Sequence, residues 1–277
     1  MRVAFGTVVY PNALRYGAEY AQSLNKQIGQ EFDVLLVSDG LSSTERSGLE
    51  KLLQRRVVWD IPSTKLTIPE LRIELLRSAY NHEYDILVLG DFDDTFDPER
   101  VRKVVDSLDK TYTFCYHNLD VNGYPLFSNI PNMTLTIDPI LDCNYLGFGN
   151  TAINLRALSC DFIDTLTNAP DVFDWYFFTL LLLSGGAGRY IPESLTRYRI
   201  YNGNMAGTQI PSFEKVKKEV KVKYDHYAAL KNKGSVFANR MKHTLYKNLL
   251  YHGKYQALKM VVGGVLHVQS HKLLERS

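Results

Sequence analysis

The segment Asp85-Ile86-Leu87-Val88-Leu89-Gly90-Asp91-Phe92-Asp93-Asp94 sets an unbroken apolar run against a cluster of carboxylates. A strand without a polar face is buried on both sides, as happens inside a parallel sheet covered by helices. Asp91 and Asp93 stand two apart, so in extended backbone their carboxylates project to one side. Like charges that close repel unless a cation joins them, and oxygen donors at this density suit Mg²⁺ or Mn²⁺. A helix start is the rival explanation, because Asp97-Pro98-Glu99 is a good cap with Pro at the first helical position. It accounts for Asp97 and leaves Asp91, Asp93 and Asp94 unexplained.

The preceding residues supply the rest of such a sheet. Val3–Val9 and Phe32–Val37 read as strands and Val57–Trp59 as a third. Between them the pattern predicts helices from Leu14 to Ile28, from Ser43 to about Arg55, and from Pro69 to Tyr80. Strand and helix in alternation mean parallel strands joined by crossover helices, an α/β fold. Ligands bind beyond the carboxyl ends of such strands. Asp39 and Asp91 both follow strands, so the two are expected on one rim.

Further along, Pro98–Leu108 reads as a helix, Thr113–His117 as a strand, and Asn122-Gly123 as a hairpin turn. Residues 125–144 hold Pro125, Pro131 and Pro139 in irregular sequence, the pattern of a lid or specificity segment. Leu146–Ala152 returns to close-packed sequence, Asp171–Leu183 is an apolar helix with Asp174-Trp175 near its start, and Tyr190–Tyr201 is a last strand. Ser184-Gly185-Gly186-Ala187-Gly188 ends that helix, so it reads as a C-cap rather than a phosphate loop. No Gly-x-Gly-x-x-Gly follows the first strand, which removes the usual dinucleotide fingerprint.

Composition narrows the partners. At 277 residues, with 45% hydrophobic and 22% charged residues, the chain can bury a sizeable core. No apolar run reaches the roughly 18 residues needed to span a bilayer. The chain opens directly on strand-like sequence, and its three cysteines share no metal spacing, which predicts reduced interior thiols and a cytoplasmic location. The sequon Asn132-Met133-Thr134 carries no meaning there. The seven histidines, His82 and His117 among them, show no ligand spacing. Residues 211–277 carry 14 Lys+Arg against 4 Asp+Glu, which leaves the first 210 residues with 18 against 26 of the chain's totals. A basic, amphipathic C-terminal stretch on an acidic body suits the surface of an anionic membrane, a solvated charged helix or an oligomerisation helix. Nucleic acid is not an expected partner, because no reading module accompanies the charge.

Five segments stand in one order: Val8-Val9-Tyr10-Pro11, Val37-Ser38-Asp39-Gly40, Asp91-Phe92-Asp93-Asp94, Gly149-Asn150-Thr151-Ala152, and Asp174-Trp175 leading to Tyr198-Arg199. In order and spacing they resemble the family 2 glycosyltransferases of bacterial surface-glycan type. The resemblance covers roughly residues 2–207 and implies the GT-A nucleotide-diphospho-sugar transferase fold, a mostly parallel sheet flanked by helices. Residues 208–277 would then form a basic helical extension.

The resemblance also implies roles. Tyr10 would lie beside the nucleotide base and Asp39 would accept a hydrogen bond from it. Arg72, nineteen residues before Asp91, would reach the nucleotide or its phosphates. Asp91 would contact the ribose or a metal-bound water, and Asp93 would ligate a divalent cation, Mn²⁺ or Mg²⁺, that bridges the diphosphate. Asp174 would be the general base of an inverting transfer from a nucleotide-sugar donor, on family frequency a UDP-sugar, to a saccharide or lipid-linked acceptor.

This chain has Phe173 where the family often pairs a Glu with the base, and Tyr201 where it often has a His. Simpler explanations stand beside these roles: a turn residue for Asp39, an ion-pair partner for Arg72, an N-cap for Asp174. Two other functions share the pattern. A nucleotidyltransferase of related fold normally has a Gly-rich basic loop after the first strand, which Val8–Asn12 lacks. A non-catalytic nucleotide-sugar or glycan-binding module would dispense with the base.

Overall fold

In the computed structural model, which describes residues 1–141, 143–166, 170–200, 213–230 and 242–247, strand and helix alternate from the start. The order is β1 (Val3–Val9), a 3₁₀ turn (Pro11–Tyr16), α1 (Gly17–Asn25), β2 (Asp33–Ser38), α2 (Ser43–Glu50), β3 (Val57–Asp60), α3 (Ile68–Asn81) and β4 (Ile86–Leu89). Then come β5 (Thr95–Phe96), α4 (Arg100–Ser107), β6 (Phe114–Val121), β7 (Tyr124–Pro125) and β8 (Met133–Thr134). The described chain ends with β9 (Thr151–Asn154), α5 (Cys160–Asp164), α6 (Phe173–Leu183), β10 (Gly188–Arg197) and α7 (Phe213–Leu230).

One sheet runs β3-β2-β1-β4-β9-β6-β10-β5, with β7 beside β6 and β8 beside β10. The first four strands in that order pair in parallel, β9 is antiparallel to both neighbours, and β10 runs parallel to β6. The central strand β4 is buried on both faces, as its apolar run demands. Leu87 and Leu89 join one core with side chains of α3, α5, α6 and α7, while Ile86 and Val88 join another with α1, α2 and α4. At the exit of β4 a Cβ on Gly90 would lie 2.6 Å from the Phe5 ring and 2.8 Å from the Phe96 ring. Only glycine lets the backbone pass beneath those rings into the acidic cluster.

Local chemistry fixes the elements that carry the rim. Thr67 and Glu70 form a capping box at the start of α3, which places Arg72 one turn into that helix. Asn122 and Gly123 both have positive φ, 54° and 87°, as a two-residue Asn-Gly hairpin requires. Gly185, at φ 89°, stops α6, and the N–H groups of Gly185 and Gly186 return to the carbonyls of Leu182 and Leu181.

Several expected bounds shift. The first helix begins at Gly17, after the 3₁₀ turn. Ser42 rather than Ser43 caps α2, which ends at Glu50 and not near Arg55. Arg55 is drawn off the helical path because its guanidinium donates to the carbonyls of Leu24 and Gln27 and lies over the Phe32 ring. Asp97 does cap a turn, its Oδ1 accepting from the Glu99 N–H at 2.9 Å, but α4 proper starts at Arg100. The cysteines are free, yet only Cys115 is interior; Cys143 is half-buried and Cys160 exposed. Tyr201 and most of the basic extension lie outside the described residues. The described part of that extension is helical and packs on α6, and among the described residues no helix is long and apolar enough to cross a membrane.

Candidate active site

Because β1, β2 and β4 are parallel neighbours, their carboxyl ends share one edge, where Tyr10, Asp39 and Asp91 follow the three strands. The Asp39 N–H donates to the Val9 carbonyl at 2.8 Å, which seats Asp39 beside the exposed Tyr10. Gly40, at φ 77°, turns the chain away immediately afterwards. With β1 between them, Asp39 and Asp91 stand roughly 10 Å apart across the rim.

The centre of the site is the turn Gly147-Phe148-Gly149-Asn150. Asn150 Oδ1 accepts from the Gly147 N–H at 2.9 Å, and its Nδ2 donates to the carbonyls of His117 and Tyr145. On one side of the turn the Phe148 N–H donates to Asp174 Oδ2 at 3.0 Å. On the other, a Cβ on Gly149 would come within 3.0 Å of Asp91 Oδ2. Arg72 spans the two sides, with Nη2 donating to Asp91 Oδ1 at 2.7 Å and its guanidinium 4.9 Å above the Phe148 ring. The structure thus joins Arg72, Asp91 and Asp174, three residues that the sequence separates by up to about a hundred positions.

The electrostatics follow from this packing. Burial raises the pKa of Asp174 and Asp91 adds to the rise, while Arg72 and the Phe148 N–H oppose it; the balance lies above the ordinary carboxylate value. A carboxylate so placed is a stronger base than an exposed one. Asp174 is half-buried and is not the N-cap of α6, a position taken by Val172. Burial would depress Arg72, but Asp91, Asp174 and Asp93 outweigh it and hold the guanidinium charged.

Behind the rim the acidic loop is held from two directions. Asp94 Oδ1 accepts the Arg199 N–H at 2.9 Å, and Arg199 Nε donates to the Asp93 carbonyl at 2.9 Å. Arg199 also pairs with Glu19 at 2.5 Å and lies over the Tyr16 ring. Asp94 Oδ2 is buried with no partner among the described residues. Burial, with Asp91 nearby, pushes the Asp94 carboxyl up to about 8. Below the loop Arg100 is wholly buried, donates Nη2 to the Leu89 carbonyl and faces the Phe5 and Phe96 rings. Burial lowers it to about 10, and Asp94 is the charge that opposes this most.

Among the described residues no three His, Cys, Asp or Glu side chains close a metal site. Asp91 and Asp93 offer hard carboxylate oxygens only. Ions of the Mg²⁺ type are held by one or two carboxylates, with substrate phosphates and water completing the shell. The pair therefore fits a cation completed by a diphosphate. Asp91 enters that set with one oxygen already committed to Arg72.

Phe148, Arg100 and Arg199 are the site residues that the sequence did not single out for these roles. Phe148 had a faint signal, an aromatic residue between two glycines in close-packed sequence. Arg199, quoted only as part of the last motif, pairs with the acidic loop itself. Arg100 had none, because a charged residue at a helix start normally faces water. Trp175 is in the core.

No family model matches the chain, and no curated protein does. Solved structures do. TarS 1–349 of S. aureus in complex with UDP is 15% identical, with 92% of this chain and 73% of that chain covered at a TM-score of 0.57. The mannosyltransferase PcManGT of Pyrobaculum calidifontis, in complex with GDP-Man and Mn²⁺, is 12% identical, with 95% and 73% covered at 0.60. Glucosyl-3-phosphoglycerate synthase of Mycobacterium tuberculosis, in complex with phosphoglyceric acid, is 14% identical, with 84% and 81% covered at 0.52. At such identities the likeness carries the architecture, and the architecture is that of the GT-A nucleotide-diphospho-sugar transferases.

Proposed function

We propose that this chain is an inverting glycosyltransferase that moves one sugar from a nucleotide-diphosphate donor to a hydroxyl of a saccharide or lipid-linked acceptor. The observation that supports it most is the arrangement about the turn at Phe148. A carboxylate of raised pKa lies on one side and an arginine–aspartate pair at the strand exits on the other. Two solved structures of similar architecture add weight, since TarS was solved with UDP and PcManGT with GDP-Man and Mn²⁺.

In this reading Tyr10 and Asp39 receive the base, and Asp91 and Arg72 hold the ribose and phosphates of the donor, a UDP-sugar on family frequency. Asp93 and Asp91 would hold Mn²⁺ or Mg²⁺, which when bound supplies countercharge to the leaving diphosphate. Asp174 takes the proton of the acceptor hydroxyl as its oxygen bonds to the anomeric carbon. The bond from that carbon to the donor phosphate breaks on the opposite face and releases a nucleoside diphosphate. One base and no covalent intermediate suffice, and the anomeric centre inverts. The extension at 211–277 would rest on an anionic membrane face in the cytoplasm; its exposed Lys217, Lys218 and Lys221 fit such a surface.

The test is Asp174→Asn. Donor affinity by calorimetry should stay within about twofold while turnover falls by about 10²-fold or more. NMR of the product should show the opposite anomeric configuration to the donor. Unchanged turnover would remove Asp174 as the base, and retained configuration would remove the inverting mechanism.

A further inference from the structure

Asp174 sits in a helical turn that holds itself in place poorly. The N-cap of α6 is Val172, with no side chain to satisfy the first free N–H groups. The Tyr176 N–H reaches the Val172 carbonyl only at 3.5 Å. What fixes this turn is tertiary. Phe173 packs edge-on against Phe148 at 5.6 Å. Trp175, about 100° round the helix from Asp174, donates Nε1 to the Ile140 carbonyl at 2.8 Å.

The rest of the anchor comes from α7. The buried face of this helix is Val220, Lys223, His226, Tyr227 and Leu230. The His226 ring stacks on Trp175 with centroids 3.9 Å apart and planes 13° apart, and Tyr227 meets the same indole edge-on at 5.8 Å. The Tyr227 hydroxyl donates to the Leu141 carbonyl, one residue beyond the carbonyl that Trp175 holds. Two helices therefore grip the same 3₁₀ turn, Asp138–Ile140, inside the irregular stretch between β8 and β9. Neither nitrogen of His226 has a hydrogen-bond partner among the described residues. Burial keeps that imidazole neutral, its pKa lowered to about 3. The ring serves here as a flat surface and not as an acid or base.

We infer that α7 is part of the catalytic apparatus, with His226 and Tyr227 as positioning residues that fix Asp174 through Trp175. This rests on Asp174 being the base. Asp174 and Trp175 are consecutive in one helical turn, so a displacement of the indole is a displacement of the carboxylate. A shift on the order of 1 Å at a reacting group costs up to about 10²-fold in rate. The same helix also holds the Leu141 carbonyl, so α7 sets the loop at 138–141 as well as the turn that carries Asp174.

The experiment compares the full-length wild type with His226→Ala, His226→Phe and Tyr227→Phe. His226→Ala should lower kcat by about tenfold or more and leave donor affinity by calorimetry within about twofold. Amide exchange in residues 173–176 should rise about tenfold, and that in β1, β2 and β4 should not change. His226→Phe keeps the stacked ring and should restore kcat. If His226→Ala cannot be obtained folded, Tyr227→Phe carries the test, since it removes only the hydroxyl on Leu141. Wild-type exchange in 173–176 for either variant overturns the inference, as does a parallel loss of kcat and donor affinity that Phe does not rescue. The exchange measurement does not depend on catalysis. If Asp174→Asn turns over normally while His226→Ala loosens the helix, the fault lies with the base and not with the anchor.

Discussion

Arg72 and Asp91 act on Asp174 with opposite sign, and that opposition can be measured. Arg72 lowers the pKa of Asp174 and Asp91 raises it. Turnover needs the ionised carboxylate, so it is lost as pH falls through that pKa. At saturating donor, Arg72→Met should move the acid limb of the kcat profile to higher pH and Asp91→Asn should move it lower. Shifts in one direction for both would mean the limb belongs to another group. Arg72→Met also removes the charge-assisted bond proposed to the donor phosphates, worth roughly 1.5–3 kcal/mol, so donor affinity should weaken by about 10- to 150-fold. Asp94 carries a second sign. Its carboxyl is raised from 3.8 to about 8, so between those values the folded chain holds a proton that the unfolded chain lacks. Its contribution to stability is whole below the lower value and is lost as pH rises to the upper one. Urea midpoints of the metal-free protein at pH 5 and pH 8 should differ less in Asp94→Asn than in the wild type. The sequence set Asp91 and Asp93 on one side and left Asp94 without a role. Their different fates depend on burial, on the nearby Arg100, and on Arg72 and Arg199, which arrive from distant positions.

Among the elements, the turn at 147–150 separates backbone need from crowding. Neither glycine that flanks Phe148 has a positive φ, so alanine is conformationally allowed at both. At Gly149 the new Cβ would lie 3.0 Å from Asp91 Oδ2, whereas at Gly147 it would lie 3.3 Å from Asn150 Oδ1 and 3.7 Å from Asp174 Oδ2. Gly149→Ala should therefore displace Asp91 from Arg72 and weaken donor binding by about tenfold, with a smaller loss for Gly147→Ala, whose methyl presses on Asn150 and not on Asp91. Calorimetry on the two variants reads this directly, and equal effects would show that the turn tolerates or rejects both methyls for another reason. Elements of this kind were partly legible. The strands β1, β2 and β4, the Asn122-Gly123 hairpin and the Gly185 stop could be read because period, turn chemistry and φ are local properties. The end of α2 and the pairing of the two-residue β5 with β10 could not, because tertiary contacts such as those of Arg55 override local preference. The packing of α7 on Trp175 was illegible for a similar reason, since a lysine-rich helix reads as solvated until its buried face meets a partner.

For the molecule as a whole, the acidic body and basic extension, read from charge alone, say where substrates and surfaces approach but not how the site closes. The site is built from one edge of the sheet, and its acidic loop is held by Arg72 at the Asp91 carboxylate and by Arg199 at the Asp94 carboxylate and the Asp93 carbonyl, without a closed cation cage among the described residues. Such a site should bind cation and diphosphate together and either alone weakly. A ligand that binds only the folded state stabilises it by RT ln(1 + [L]/Kd), about 2.7 kcal/mol at a hundredfold excess over Kd. For a chain of this size that is a rise in Tm on the order of 5 °C. A melting screen of UDP-, GDP- and CDP-sugars, each with and without Mn²⁺, should give that rise for one nucleotide, and chelation should abolish it. Asp93→Asn should lose the metal-dependent part of the shift, and Asp39→Asn should lose discrimination among the bases. Equal shifts with and without Mn²⁺ would remove the cation from the proposal and leave the nucleotide in place. No shift with any nucleotide would leave a GT-A fold without its expected ligand, and the glycosyltransferase reading would fall with it.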